Sequence, residues 1–258
     1  MIAGYRTSFG AFLDKLTGRS RLEAGDCEAI LDLPGEAVQV QCNRDFVRPG
    51  ERVDHACLIV DGLVGRFGQN SDGNRQITAL HIGGDMADLH SVVVPGSATA
   101  LQALAVTTIL RVPHEALRRL ARDRPAIAEA FWRECVIDGA ILSEWVVNVG
   151  RRDARTRTAH LLCEMAIRCR AGVLGRRFSF GFPVTQNHLA DMLALTPVHV
   201  NRMLKCLREE GAADLRGKTA HVLDWQLLAD IGDFDPSYLQ IGTAPAKSAH
   251  PSRLARTA

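Results

Sequence analysis

Between residues 35 and 113 the apolar positions come in short runs separated by turn residues. Val38-Gln-Val-Gln, Cys57-Leu-Ile-Val, Ile77-Thr-Ala-Leu, Ala103-Leu-Ala-Val and Ile109-Leu-Arg-Val are the runs. Arg48-Pro-Gly-Glu, Asp61-Gly, Ser71-Asp-Gly-Asn, Gly83-Gly-Asp and Pro95-Gly are the breaks. Turn signals at about 8–12-residue spacing predict an antiparallel barrel or sandwich. Two short helices, over 8–18 and 21–32, precede it.

Past Pro113 the period becomes helical, and Pro125 suits a first helical position. Phe131, Cys135, Asp138, Leu142, Trp145 and Val149 follow at alternating steps of four and three, a heptad-like seam that Ile137 and Ile141 widen. The pattern predicts a long helix with a dimer seam. Asp138 is its odd polar member, either fixing register or marking a seam rotated from this set. Gly150-Arg-Arg-Asp breaks the helix; a second runs over 153–171, and a short strand follows at Phe178-Ser-Phe. The last residues, 241–258, are rich in Ala, Pro and Ser without hydrophobic period and read as a flexible tail.

The most informative stretch is 184–211. Thr185 can cap a helix to about 193 whose inward face is Leu189, Met192 and Leu193. After a turn at Ala194-Leu195, Thr196 is a good cap and Pro197 a good first residue for a second helix ending at Gly211. Two short helices and a tight turn make a helix-turn-helix. Val200, Leu204 and Leu207 share one face and predict core. Val198, Arg202 and Lys205 lie opposite, with Asn201 at the edge and His199 on the flank. Such a basic, hydrogen-bonding face suits a recognition helix in the major groove. Arg202 is the first candidate for base contact, since Arg addresses guanine O6/N7 bidentately, followed by His199 and Asn201. Val198 can meet a thymine methyl. Lys205 and the cap residues Thr185, Gln186, Asn187 and Thr196 are candidate phosphate contacts, which position without reading sequence. Arg216-Gly217-Lys218 reads as the basic tip of a wing hairpin.

Charge sharpens this. The whole chain is only +2, but residues 1–150 hold 15 Lys/Arg against 19 Asp/Glu, and 151–224 hold 13 against 7. An acidic front and a basic back direct any nucleic-acid contact to the back. The seven cysteines, Cys27, Cys42, Cys57, Cys135, Cys163, Cys169 and Cys206, are scattered with no Cys-x-x-Cys, so neither a disulfide framework nor a local metal motif is expected. The longest apolar stretch, Leu101 to Leu110, falls far short of the ~20 residues of a membrane helix, and the N-terminus lacks a signal-peptide core. The expectation is a cytoplasmic protein that does not enter membranes. No Walker loop, Gly-x-Ser-x-Gly, His-Glu-x-x-His or dinucleotide fingerprint is present, and no enzyme is predicted. The alternative, a cytosolic ligand- or redox-sensing module without DNA output, leaves the basic wing and Arg202 unexplained.

With these elements in place, the chain over about 10–235 resembles the Crp/Fnr superfamily of bacterial transcription regulators. The residues carrying the resemblance are Thr196-Pro-Val-His-Val-Asn-Arg, Gly217-Lys-Thr and Gly83-Gly-Asp-Met-Ala-Asp-Leu-His. The resemblance implies an α+β chain: a double-stranded β-helix or jelly-roll effector domain, a long dimerisation helix and a C-terminal winged helix-turn-helix. It also implies a homodimer on a near-palindromic site in double-stranded DNA, with RNA polymerase as partner. The layout is a lead-in at 1–34, effector domain at 35–115, dimerisation region at 116–150, DNA-binding domain at 151–235 and tail at 236–258. The candidate effector pocket is Gly83, Gly84, Asp85, Asp88, His90 and Thr99.

The departures bear on mechanism. Cyclic-nucleotide-responsive members hold the ribose on a Gly-Glu turn and the phosphate on a nearby Arg. Here Asp85 stands near the Glu position, and no Lys or Arg lies between Arg75 and Arg111. A buried phosphate without a cation is costly, so cyclic AMP is not expected. Oxygen-sensing members bind an iron–sulfur cluster on closely spaced N-terminal cysteines; Cys27, Cys42 and Cys57 are fifteen residues apart, so no cluster is expected. His81 and His90 with Asp85 and Asp88 flank the Gly-rich turn, but no metal site is assigned. The cofactor is thus unknown. Val198 replaces a common Glu, so the half-site differs at that base. Ala194 replaces a common Gly; in a left-handed backbone it costs on the order of 1 kcal/mol.

Overall fold

The computed structural model describes residues 6–169 and 175–242. Two helices open the chain, α1 (Arg6–Arg19) and α2 (Ala24–Leu31). Seven strands follow: β1 (Glu36–Val40), β2 (Asp45–Val47), β3 (His55–Asp61), β4 (Leu63–Gln69), β5 (Arg75–Ile82), β6 (Ala100–Ala103) and β7 (Thr107–Pro113). They form two antiparallel sheets, β1-β7-β3 and β2-β6-β4-β5. Inward positions of both sheets meet face to face, with Val47, Ile59, Val64, Leu101 and Ile109 buried between them. The alternation predicted from the turn spacing is a double-sheet β-roll.

Behind the roll come α3 (His114–Asp123) and the long α4 (Pro125–Arg151), with Pro125 at its first turn. Next are α5 (Ala154–Cys169), β8 (Phe178–Gly181), α6 (Gln186–Leu193), α7 (Pro197–Glu209), β9 (Ala213–Arg216), β10 (Thr219–Val222) and α8 (Trp225–Gly232). Strands β8-β10-β9 make the wing sheet. One apolar cluster runs without a break from Leu63 and Leu80 on the roll through Ile141 and Trp145 on α4 into Leu162, Met192, Val200 and Leu207. A second packs Phe9, Phe12 and Leu16 of α1 against Phe131.

Two expectations need correction. Most of the α4 residues expected to form a dimer seam are turned toward the chain's own core. Phe131 and Trp145 are each 6 % exposed and belong to the chain's own core, and Asp138 is ion-paired to Arg66 at 2.8 Å. Cys135 and Val149 are half-buried; Leu142 alone of the six reaches solvent. The apolar residues most exposed on α4 are Trp132, Val136 and Val146, at 69, 63 and 61 %, with Val147 and Leu142 less so. One residue along a helix turns the face by about 100°. With apolar residues on both faces, the heptad could be traced on either. The other correction concerns 236–242. Pro236–Leu239 form a 3-10 turn with Leu239 fully buried, because Arg19 donates to the Leu239 carbonyl and the Tyr238 hydroxyl donates to Glu164. The rest of the expected tail, 243–258, lies outside the described residues.

The junction between roll and C-terminal domain centres on Arg168. Its guanidinium donates to Glu164 at 2.8 Å, to the Leu80 carbonyl at 2.6 Å and to Asp85 at 3.1 Å. Lys15 of α1 reaches Asp85 from the other side, at 2.5 Å. Burial opposes ionisation of Asp85, but Lys15 and Arg168 outweigh it and hold the carboxyl well below its usual range. A depressed carboxyl gives stability that is present above its unfolded pKa and lost as pH falls through the folded one. Replacing Arg168 by Met is expected to destabilise the protein by roughly 3–5 kcal/mol in urea unfolding at neutral pH, since it strands buried carboxylates. The stability difference between wild type and Asp85→Asn should shrink as pH falls below about 4.

Candidate DNA interface and interdomain cleft

The reading head is built from local signals. Thr185 Oγ1 accepts from the His188 backbone N–H at 3.1 Å, and His188 Nδ1 accepts from the Thr185 N–H at 3.3 Å, so α6 starts on a reciprocal cap. Ala194 ends α6 at φ 52° and ψ 46°, in the left-handed conformation that costs a residue with a side chain. Thr196 Oγ1 caps α7 by accepting from His199 N–H at 3.2 Å, and Pro197 supplies its first residue. Val200 and Leu207 are fully buried beneath. Val198 is 82 % exposed, and Asn201, Arg202 and Lys205 are also exposed; His199 is half-buried on the flank. Arg202 and Lys218 have no ion-pair partner among the described residues, and Lys205 is only loosely paired to Glu209 at 3.7 Å. Arg216 is exposed but leans on Asp214 at 2.5 Å. Thr185, Gln186, Asn187 and Thr196 are exposed at the two helix N-termini. Each of these candidate contact residues except His199 is thus open to solvent, and Arg202 and Lys218 keep unspent donors among the described residues.

The opposite side of α6 docks on the roll. The Met192 carbonyl accepts from Gln76 at 3.0 Å, and Asp191 lies 3.7 Å from Arg75. His188 Nε2 lies 3.0 Å from Asn43 Oδ1, which can only accept, so Nε2 carries the proton. Arg75 stacks over Phe67 at 3.8 Å and donates to Gln102. This docking leaves the α7 face outward.

A cleft of about 930 Å³ opens between α1, β4–β5, α4 and α5. Phe12, Met86, Leu89, Ile141 and Phe182 give it apolar walls. Of the expected effector residues, Gly83, Asp85 and His90 line it, whereas Gly84, Asp88 and Thr99 do not. Gly84 holds φ +85° with its α-carbon turned toward the Ala11 carbonyl, which a side chain would strike. Asp88 is buried and accepts from the Cys57 N–H at 2.6 Å; burial raises its pKa. Thr99 uses its carbonyl to accept from Ser97 Oγ. Lys15, Arg66, Glu134, Asp138 and Arg168 also line the cleft. Their residue types alone do not reveal this role, because each partner is distant in sequence; the nearest hint is the Glu164–Arg168 spacing on a helix with an apolar face.

A cyclic nucleotide, the ligand this kind of roll implies, does not fit these residues. Arg66 bonds Asp138 at 2.8 Å and the Ala87 carbonyl at 2.5 Å, Arg19 bonds Glu134 at 2.7 Å, and Lys15 and Arg168 hold Asp85. Each cation bordering the cleft is already neutralised by a carboxylate. Among the described residues, no three His, Cys, Asp or Glu side chains are grouped to hold a metal ion.

A β-roll joined through a long helix to a winged helix-turn-helix with an open basic face defines a DNA-binding regulator. Comparison with known proteins agrees. Residues 37–124 match the cyclic nucleotide-binding domain and 156–231 the Crp-like helix-turn-helix domain. The transcriptional activator FnrL of Cereibacter sphaeroides is 28 % identical over 205 residues, covering 75 % of this chain and 79 % of that protein. The activator Anr of Pseudomonas protegens is 22 % identical over 206 residues, covering 79 % and 83 %. FixK2 from Bradyrhizobium japonicum has the same fold, at TM-score 0.67 and 24 % identity over 77 % of this chain and 98 % of that one. The regulator CLP of Xanthomonas campestris gives 0.61 at 18 % identity over 78 % and 99 %. The chain belongs to the Crp/Fnr family and is a DNA-binding transcription regulator. Its relatives are regulators, not enzymes.

Ala194→Gly is expected to raise stability by about 1 kcal/mol in thermal unfolding, because glycine adopts φ 52° without a steric cost.

Proposed function

We propose that the protein acts in the cytoplasm as a homodimer, with both α7 helices in successive major grooves of a near-palindromic promoter site. The observation that carries this is the exposed face of α7, whose donors face solvent while its other face is core. Arg202 reads a guanine, with His199 and Asn201 beside it and Val198 against a thymine methyl. Lys205, Arg216, Lys218 and the exposed caps Thr185, Gln186, Asn187 and Thr196 hold phosphates. Val198 cannot accept a hydrogen bond from a base, so the half-site departs from that of relatives with Glu there.

The dimer forms through the outer face of α4. Trp132, Val136, Gly139, Ser143 and Val146 repeat at heptad spacing on a solvent-facing stripe of a 27-residue helix. Aromatic and β-branched residues with a small Gly and Ser between them suit close helix pairing. Family membership supplies the expected partner, RNA polymerase. The β-roll senses a signal, which α4 and the Arg168 junction carry to the reading head.

Mobility shift with promoter fragments of the host tests the reading. Wild type should bind with steep salt dependence. Arg202→Ala should cost about 1–3 kcal/mol and relax specificity at one base, and Lys218→Ala should reduce the salt slope by about one without changing sequence preference. Retention of full site discrimination by Arg202→Ala would overturn the assignment. Val136→Glu should give a folded monomer by light scattering and lose high-affinity binding to the two-half-site fragment; a stable dimer in that variant would refute the α4 seam.

A further inference from the structure

The cleft between the domains contains a buried imidazole that no described residue satisfies. His81, on β5, is 4 % exposed and lines the cleft, and its Nε2 is buried with no hydrogen-bond partner among the described residues. Two guanidiniums and two carboxylates surround it: Arg66 and Arg168, Asp138 and Asp85. None takes up the imidazole nitrogen, because each already spends itself on another partner. Burial, followed by the charge of Arg66, pushes the His81 pKa down to about 3, so the ring is uncharged at neutral pH. A neutral imidazole offers one donor and one acceptor, and leaving such a group buried and unpaired is unfavourable.

The rest of the cleft says what can reach it. Four cations border the space, and each is matched in the chain: Lys15 by Asp85, Arg168 by Glu164 and Asp85, Arg19 by Glu134, Arg66 by Asp138. An anion entering here finds no free cation and must break one of these pairs inside a low-dielectric site. A cation finds Asp85, Glu134 and Asp138 likewise engaged; Asp14, the remaining lining carboxylate, is solvent-exposed. Between the pairs the walls are Phe12, Leu63, Met86, Leu89, Ile141 and Phe182. The volume, about 930 Å³, is that of a small-molecule site. Apolar walls, balanced charge and a buried, unpaired neutral imidazole describe a ligand by complement.

We propose that this cleft binds an uncharged, largely apolar small molecule that places a single hydroxyl, carbonyl or similar group on the His81 imidazole. The proposal rests on the sensor reading of the β-roll and gives it a ligand class different from the nucleotide its fold implies. The molecule touches both halves of the protein, because Arg168 and Ile167 come from α5 of the DNA-binding domain and His81 and Arg66 from the roll. Binding therefore bears on the same junction that Asp85, Lys15 and Arg168 hold closed.

Probes of one shape and different polarity test it on the full-length protein without DNA. 2-Naphthol is uncharged at neutral pH and carries one hydroxyl; 2-naphthoate is its anionic counterpart; naphthalene lacks a polar group; cyclic AMP stands for the nucleotide. Equilibrium dialysis should show 2-naphthol bound at one per chain, with 2-naphthoate and cyclic AMP neither binding nor competing at equal concentration. Naphthalene should bind about tenfold more weakly than 2-naphthol, and His81→Phe should bring 2-naphthol down to the naphthalene level. Ile167→Trp, which fills the cleft and leaves the imidazole alone, should abolish binding of both. Melting curves establish that each variant folds. Tight binding of 2-naphthoate or cyclic AMP overturns the proposal. So does 2-naphthol binding that His81→Phe and Ile167→Trp leave unchanged, or its absence from the wild type. Promoter retention without any probe tests the regulator reading separately, so either can fail alone.

Discussion

The arrangement of this protein depends on a buried guanidinium. Arg168 belongs to the DNA-binding domain, yet two of its three partners, Asp85 and the Leu80 carbonyl, belong to the β-roll. The third, Glu164, is fully buried and also accepts from Trp145 on α4 and from the Tyr238 hydroxyl. Roll, long helix, α5 and the 236–239 turn therefore meet on one charged set. Desolvation works against the Arg168 charge, and Asp85 and Glu164 outweigh it, so its pKa lies above the usual arginine value. Such a set gains little over an apolar core of the same shape, but it is expensive to break in part. It specifies one orientation of the two domains, which packed leucines alone would specify less sharply.

That orientation has a second anchor at the far end of the reading head. α6 rests on the roll through Gln76 and Arg75 of β5 and Asn43 of the β1–β2 turn, using the Met192 carbonyl, Asp191 and His188. His188 does two things there. Its Nδ1 completes the α6 cap and its protonated Nε2 reaches Asn43. The cap that sets the start of the helix-turn-helix and the contact that seats it on the roll share one ring. Burial, and then Arg75, favour the neutral form over the attraction of Asp191, so the ring keeps the single proton that both bonds require. The exposed residues of α7 stay clear of this contact, so the helix-turn-helix is held by the roll without its outer face being covered.

What could be read in the chain follows from how far apart the interacting residues lie. Thr185, Thr196 and Pro197 act within four residues, and the helices, the turn at Ala194 and the outward face of Arg202 were all legible, though not that Ala194 would be left-handed. The β-roll was legible from turn spacing. Asp85 could be placed near the effector turn, but not its partners, which come from 70 and 83 residues away. The α4 seam shows a different limit. Phe131 and Trp132, Cys135 and Val136, Trp145 and Val146 are adjacent pairs that trace two heptads a residue apart. Periodicity establishes that both faces are apolar. Only packing against α1 and α5 tells which one the chain covers itself.

The overall charge of +2 also resolves into two different uses of cations. In the sensor half, Lys15, Arg19 and Arg66 serve as counter-ions to Asp85, Glu134 and Asp138, and the cleft they border ends electrically balanced. In the reader half some cations are structural too, such as Arg155 on Glu210 and Arg152 on Glu144. Among the described residues Arg202 and Lys218 are not paired in this way, and Lys205 is held only weakly. A phosphate approaching the wing meets charge that costs nothing to recruit. One approaching the cleft must first take a guanidinium from a carboxylate in a low-dielectric site, where both the pair and the stranded ion weigh most. Affinity for the polyanion and resistance to a small anion thus come from the same residue types, separated by whether folding has already given them a partner.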